Sequence, residues 1–183
     1  MPEEINILKL VCQRLQNSGI PYMLTGSLAA NFYAAPRMTR DIDIVVEISE
    51  FDVARFFQMF QSDFYIDRGV IIDAIKRQNM FNIIHNDSVF KIDFVVRKDS
   101  SYRGIEFKRR RCVELDGSQI WIVAPEDLII SKLIWSKDSL SDYQLKDVKN
   151  LLMSVKDLDI AYINKWVQTL DLNSVYERVK SDG

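Results

Sequence analysis

The sequence contains few of the residues on which several common kinds of site depend. Its 183 residues include two cysteines and one histidine, which argues against a disulfide framework and against a histidine-rich metal centre. The two thiols, Cys12 and Cys112, lie on apolar faces of their segments and are predicted to be buried. His85 closes a predicted strand, so histidine-based metal binding or general-base chemistry would rest on this residue alone.

Long apolar runs and an excess of positive charge are also missing. No apolar run approaches the ~20 residues that a membrane span needs, so no membrane partner is predicted. The acidic start, Met1-Pro2-Glu3-Glu4, lacks the pattern of a signal peptide, and together with the few cysteines this predicts a cytoplasmic location. The net charge of −2 excludes a generally basic nucleic-acid binder but leaves room for a local basic patch.

What is present is typical of a globular α+β protein. Hydrophobic residues make up 48% of the chain and charged residues 27%, enough for a substantial core and a charged surface. Strand and helix patterns alternate over residues 1–124, whereas only helices are predicted over residues 125–183. We therefore expect a mixed β-sheet core flanked by helices, followed by a small C-terminal helical lobe packed on that core.

The most informative stretch is the predicted strand Asp41–Glu47. Side chains alternate between the two faces of a strand, so Asp41 and Asp43 point the same way while the apolar residues between them point into the core. Two carboxylates one pleat apart repel each other and favour a cation, and carboxylate oxygens suit Mg²⁺ or Mn²⁺. The pair alone is also compatible with a solvated strand end, or with the DxD motif of sugar-nucleotide transferases.

Two further features give this pair a context. Asp93 interrupts the apolar strand Val89–Val96, where an isolated carboxylate is costly, so it needs a cation or hydrogen-bond donors. Gly26 and Ser27 lie at a predicted strand-to-helix turn, where close backbone approach and a helix N-terminus favour phosphate. The alternative is that Gly26 only makes the turn and Ser27 only caps the helix.

Together these residues form a recognisable pattern. Gly26-Ser27, thirteen intervening residues, Asp41-Ile42-Asp43-Ile44 and a later strand bearing Asp93 resemble the nucleotidyltransferase superfamily with the DNA polymerase beta-type fold. The run Arg37-x-Thr39-x-Asp41-x-Asp43 is similar to AbiE-type toxins and related bacterial nucleotidyltransferase-like proteins. Pro125-Glu126-Asp127-Leu128, followed by Lys132-Leu133 and later by Asp147, resembles the helical portion of the same proteins.

The resemblance implies transfer of a nucleoside monophosphate from an NTP, such as ATP, to an acceptor, with Mg²⁺ or Mn²⁺ as cofactor. It implies three overlapping groups of site residues. The metal ligands would be Asp41, Asp43 and Asp93; the catalytic set adds Lys132; the nucleotide-binding set would be Gly26, Ser27, Arg37, Thr39, Lys132 and Asp147. A toxin-like member of this group would have a cognate antitoxin protein as a partner.

Three of these assignments have plainer alternatives. Lys132 lies in the most apolar helix of the second half, where it either points at a ligand or extends to water. Asp147 either orients Lys132 or is an exposed helix carboxylate. Arg37 and Thr39 either touch phosphate or only fix the loop before the acidic pair.

Two features bear on the acceptor. The one dense basic run, Lys108, Arg109, Arg110 and Arg111, would hold an RNA end or be a solvated face. The three tryptophans occupy core-like positions and are not interpreted as base-stacking platforms: Trp121, Trp135 and Trp166. The sequence leaves the acceptor open among RNA, a protein hydroxyl and a small molecule.

Two other functions compete with the leading one. The first is a nucleotide- or partner-binding module that kept the fold and lost turnover. The second is a sugar-nucleotide transferase, which is disfavoured because it explains neither Gly26-Ser27 nor Asp93.

Overall fold

The computed structural model describes residues 3–39, 41–88, 90–139 and 142–181. Within these residues helices and strands are mixed along the chain up to the last strand, and the elements after it are all helices. In chain order they are α1 Glu3–Asn17, β1 Tyr22–Thr25, α2 Gly26–Tyr33, β2 Asp41–Val46, α3 Val53–Phe60, β3 Phe64–Tyr65, α4 Arg68–Arg77, β4 Met80–His85, β5 Lys91–Val96, α5 Ser101–Lys108, β6 Arg111–Leu115, β7 Ser118–Ile122, α6 Pro125–Ser139, α7 Asp142–Ser154, α8 Ile160–Thr169 and α9 Asn173–Ser181.

The strands form one mixed sheet in the order β3-β4-β5-β2-β1-β7-β6. β2 is antiparallel to β1 and parallel to β5, although paired residues of β2 and β5 are 50 positions apart in the chain. The parallel register pairs Asp43 with Asp93 and Asp41 with Lys91. The α+β fold with a mixed sheet and flanking helices is therefore confirmed, and the register already places the predicted acidic residues side by side.

The two faces of the sheet have different roles. On one face, apolar residues such as Ile44 and Phe94 are fully buried, and Phe94 packs edge-on against Phe56 of α3 at 5.1 Å between ring centroids. On the other face, β2 and β5 carry the carboxylates, and α6 covers the neighbouring part of the sheet. α6 packs against α2, α7, α8 and α9, so most of its described residues are buried, including Ile129 and Leu133 and also the charged Asp127 and Lys132.

Most predicted elements are found at or near their expected bounds, including α1 without any shift. The helix expected to begin at Ser27 begins one residue earlier, at Gly26. α5 and the two-residue strand β3 were not expected. The sequence also predicts helix caps at Ser49 with Asp52 and at Ser141 with Gln144. The first capping box is present, whereas Ser141 lies outside the described residues.

The division of the chain between residues 124 and 125 stays a prediction. The buried apolar side chains of α6–α9 belong to the same core as those of the sheet. No helix in the described part of the chain is both long and apolar enough to cross a membrane.

Two expectations about burial were wrong. Cys12 is buried as predicted, but Cys112 is exposed because it lies on the edge strand β6, which has a neighbour on one side only. Trp166 is buried, whereas Trp135 is 51% exposed. Trp135 lies near the end of α6, where the helix emerges from the core beside an open cleft.

Candidate active site

The parallel pair β2–β5 positions three carboxylates on one sheet face. Asp41 and Asp43 are one pleat apart on β2, and Asp93 lies directly opposite Asp43 on β5. Asp41 is the most exposed of the three, and Asp93 is buried. The sequence-based prediction that distant acids meet on one face is thus matched by the arrangement of the strands.

This concentration of negative charge is costly. Burial raises the pKa of Asp43, and the neighbouring charges of Asp93 and Asp41 raise it further, while Lys132 and Lys91 partly oppose the shift. One carboxylate oxygen of Asp93, Oδ1, is buried and has no hydrogen-bond partner among the described residues. Hard oxygen donors with a buried, unpartnered atom fit Mg²⁺ or Mn²⁺ in chemical kind.

In the arrangement seen here, an ammonium group takes part in the cluster. Lys91 Nζ lies 2.8 Å from Asp93 Oδ2 and 3.7 Å from Asp41 Oδ1. Within the described residues, no three His, Cys, Asp or Glu side chains are grouped closely enough to hold a metal ion as they stand.

The position of Asp43 requires a glycine at residue 26. Its φ of +67° lies in the left-handed region, and a Cβ at this position would lie 1.9 Å from Asp43 Oδ2. The carboxylate therefore packs directly against the start of α2. The Thr25 side chain does not cap this helix, so no side chain at the N-cap satisfies the N–H groups of its first turn.

A second cluster, of net positive charge, lies beside α2. The Asp147 carboxylate accepts hydrogen bonds from Arg37 Nε at 3.0 Å and from Lys132 Nζ at 2.8 Å. Arg37 Nη2 also donates to Ser27 Oγ at 2.5 Å, so the Ser27 hydroxyl contacts a guanidinium in the fold. The loop before β2 is held by Asn31, which exchanges two hydrogen bonds with the Arg37 backbone.

The electrostatics of this cluster follow from its charge count of two cations and one anion. Burial opposes ionisation of Asp147, but the hydrogen bonds from Arg37 and Lys132 outweigh it and lower its pKa. Burial lowers the pKa of Lys132, and Arg37 lowers it further, against the contact with Asp147. Lys132 and Asp147 are only 3% and 4% exposed, so neither follows the solvent-exposed alternative. A surplus of positive charge beside a helix start favours a polyanion.

One cleft joins the two clusters. Asp43 and Lys132 both line it, together with Gly26 and Trp135, and its volume is about 150 Å³. The cleft adjoins a groove of about 260 Å³, and both are lined by Trp135 and Val95. The groove is also lined by basic side chains: Arg97, Lys98 and Arg103. Gly26, Ser27, Arg37, Asp43, Asp93, Lys132 and Asp147 are thus brought into one region.

One predicted site residue, Thr39, has a weaker connection to this cleft. Thr39 Oγ1 lies 3.5 Å from the Asp41 carbonyl oxygen, a contact that fixes the loop. The sequence reasoning missed Trp135, Gln144 and Asn31. Gln144 accepts a hydrogen bond from Lys132 at 3.1 Å, and its spacing of three residues from Asp147 is the signal that was available.

The basic run at residues 108–111 is engaged largely within the fold. Arg109 pairs with Asp127 at 2.8 Å and Arg111 pairs with Glu126 at 3.4 Å, which ties α5 and β6 to the start of α6. Arg110 stacks over Phe107. An RNA-binding role for this run stays a prediction, and these contacts give it no support.

Comparison with known proteins adds the following. No protein-family model matches the chain, and no curated protein matches it. Among solved structures, an antigenic nucleotidyltransferase-like protein from Paracoccidioides brasiliensis aligns with a TM-score of 0.60 at 14% identity, covering 98% of this chain and 93% of its own. The antibiotic-resistance factor ANT(2'')-Ia aligns with a TM-score of 0.57 at 13% identity over 96% and 94%. The lincosamide antibiotic adenylyltransferase LnuA, with lincomycin bound, aligns with a TM-score of 0.53 at 15% identity over 82% and 96%.

Proposed function

The chain has the nucleotidyltransferase fold, and from that premise we propose that it transfers a nucleoside monophosphate from an NTP to an acceptor with Mg²⁺ or Mn²⁺. One observation carries the proposal. A single cleft is lined by an acidic residue of the three-carboxylate face and by the buried lysine of a net positive cluster. A metal-bound triphosphate fits both parts of the cleft, because its metal ion is positive and its phosphates are negative.

The carboxylates supply the metal site. Asp41, Asp43 and Asp93 would hold the divalent ion, because they are hard donors on one face and Asp93 has an unpartnered buried oxygen. When bound, such an ion stabilises charge on the phosphoryl oxygens. Asp93 would also accept the proton of the acceptor hydroxyl, since it is the carboxylate on the strand farther from α2.

The positive cluster supplies the nucleotide site. Ser27 and the first-turn amides of α2 would receive the triphosphate, with Lys132 and Arg37 neutralising its charge. Asp147 holds both cations in place and would do so with substrate bound. Gly26 allows Asp43 to lie against this helix start, and Thr39 fixes the connecting loop.

The acceptor is the open part of the proposal. One structural relative was solved in complex with adenylyl-2''-tobramycin and another with lincomycin bound, which makes a small-molecule hydroxyl one candidate. An RNA end and a protein hydroxyl are the others. ATP as donor, a toxin-like role with a cognate antitoxin, and a cytoplasmic location accompany the proposal as predictions.

The test uses each α-labelled NTP with Mg²⁺, first with the purified protein alone and then with cell extract. Binding is measured as the increase in melting temperature on adding NTP and Mg²⁺, and transfer as label attached to an acceptor. We expect Asp43→Ala to remove both signals. A matched control is Asp73→Ala, which removes an exposed carboxylate on α4 that pairs with Arg77.

The outcomes separate the competing functions. An unchanged melting curve for the wild type would count against any nucleotide site. Stabilisation by NTP and Mg²⁺ without a labelled acceptor would favour the binding module that has lost turnover.

A further inference from the structure

Lys91 occupies a distinctive position in the acidic cluster. It lies on β5 two residues before Asp93 and opposite Asp41 in the register, so its side chain shares the carboxylate face. Its ammonium contacts Asp93 at 2.8 Å and lies 3.7 Å from Asp41. Lys91 therefore supplies a cation at the carboxylates where a divalent ion is proposed to bind.

The charge count shows that this compensation is incomplete. Three carboxylates and one ammonium leave a formal charge of −2, and Asp93 Oδ1 still has no partner among the described residues. The Lys91 side chain is 39% exposed, whereas that of Asp93 is 7% exposed. The lysine can therefore leave toward solvent while the carboxylate stays in place.

We propose that Lys91 is an internal cation that holds Asp93 in the metal-free protein and is displaced when a divalent ion binds the carboxylates. This inference rests on the proposed function. The Lys91 ammonium lies between the Asp93 and Asp41 carboxylates, so a divalent ion bound to both carboxylates would lie close to it, and the two cations would repel each other.

Displacement has a functional consequence. Lys91 weakens the binding of a bare divalent ion, because the ion must replace a contact that already exists. A metal-bound NTP overcomes this competition, because its phosphates bind the cluster of Arg37 and Lys132 at the same time. The released ammonium then extends toward solvent. Lys91 is thus a positioning residue that couples metal entry to nucleotide binding.

The first experiment is calorimetric titration of the full chain with MnCl₂ in the absence of nucleotide. We expect Lys91→Met to bind Mn²⁺ at least about tenfold more tightly than the wild type, because one positive charge has been removed from the site. In EDTA the same variant should melt at a lower temperature than the wild type. The matched control is Lys76→Met, which removes an exposed lysine that lies 3.9 Å from Glu50.

A second measurement uses the wild-type protein and does not depend on the folding of any variant. Acylation of lysines by an N-hydroxysuccinimide ester is followed by peptide mass spectrometry, with and without Mg²⁺ and ATP. We expect Lys91 to react faster when the ion and nucleotide are present, while Lys76 reacts at the same rate in both conditions.

The outcomes distinguish the inference from the function beneath it. Equal Mn²⁺ affinity in Lys91→Met and the wild type, or an unchanged rate of Lys91 acylation, would overturn the displacement while leaving the nucleotidyltransferase proposal intact. A wild type that takes up no Mn²⁺, even with ATP, would overturn the proposed function itself.

Discussion

Asp43→Asn should separate the stability of this protein from its function. Asp43 is paired in register with Asp93, and its pKa is raised by burial and then by the charges of Asp93 and Asp41. Asparagine has nearly the same shape and no charge. We therefore expect the variant to be more stable than the wild type without metal, and to lose the stabilisation that Mg²⁺ and ATP confer.

The size of the effect follows from the geometry of the sheet. Adjacent strands lie about 4.8 Å apart, and two unit charges about 5 Å apart repel by about 3 kcal/mol at an effective dielectric constant of about 20. Lys91 and Lys132 offset part of this repulsion. We therefore expect Asp43→Asn to raise the free energy of unfolding by about 1–2 kcal/mol. For a chain of 183 residues this corresponds to a rise in Tm of about 2–8 °C.

The dependence on pH has a defined sign. The folded state holds the Asp43 proton more tightly than the unfolded state, because the folded pKa is raised above the ordinary value of 3.8. The free energy of unfolding of the wild type therefore falls as pH rises from the ordinary pKa of Asp43 to its folded pKa. Above the folded pKa, the full destabilisation by the charged carboxylate is present. The advantage of Asp43→Asn should be largest at neutral pH and should vanish below the ordinary pKa of aspartate.

The assay is thermal unfolding in EDTA and in Mg²⁺ with ATP, at neutral pH and at about pH 3, below the ordinary pKa of aspartate. Asp73→Asn is the control, because this carboxylate is 59% exposed and pairs with Arg77, one turn away on the same helix. A variant that melts below the wild type in EDTA, or that keeps the full response to Mg²⁺ and ATP, would refute the reasoning.

Three further substitutions probe other parts of the cleft. Gly26→Ala places a Cβ on a residue in the left-handed region, where it collides with Asp43. We therefore expect the free energy of unfolding to fall by about 1–3 kcal/mol and Mg²⁺ to raise the melting temperature less than in the wild type. Unchanged values would argue against the close contact. Asp147→Asn leaves the buried Lys132 without its anion and should lower the free energy of unfolding by about 3 kcal/mol. ATP should restore part of this stability, because its polyphosphate replaces the lost negative charge. A loss of stability that ATP does not reduce would contradict that role. Trp135→Phe should change the free energy of unfolding by less than about 0.5 kcal/mol and should abolish the change in tryptophan fluorescence that Mg²⁺ and ATP cause. A fluorescence change that the variant retains would show that the nucleotide lies elsewhere.

The acidic site was partly predictable because strand alternation is a local rule. The shared face of Asp41 and Asp43 follows from their spacing alone, and the structure places them as expected. The alignment of Asp93 with Asp43 does not follow from spacing, because β2 and β5 are far apart in the chain and their register depends on the whole sheet. The resemblance to a known family supplied that step, and the role of Lys91 depends on the same register.

The missed elements have physical causes of their own. The buried face of α5 includes Glu106, and a charged residue there hides the apolar stripe that identifies a helix. In the fold this carboxylate pairs with Arg103, one turn earlier on α5, and accepts a hydrogen bond from Ser131 on α6. No local pattern in the sequence links Glu106 to Ser131. Trp135 was misassigned because apolar and polar residues of α6 are both buried, so the periodicity of apolar residues does not show which residue meets the cleft.

The opposite charges of the two clusters determine how ligands should bind. The carboxylate face has a surplus of negative charge even with Lys91 in place, and the cluster of Arg37, Lys132 and Asp147 has a surplus of positive charge. A bare divalent ion relieves only the first surplus and a free polyphosphate relieves only the second. Each ligand should therefore bind more tightly when the other is present, and thermodynamic linkage requires the two enhancements to be equal. The cleft is thus suited to the metal–nucleotide complex rather than to either component alone.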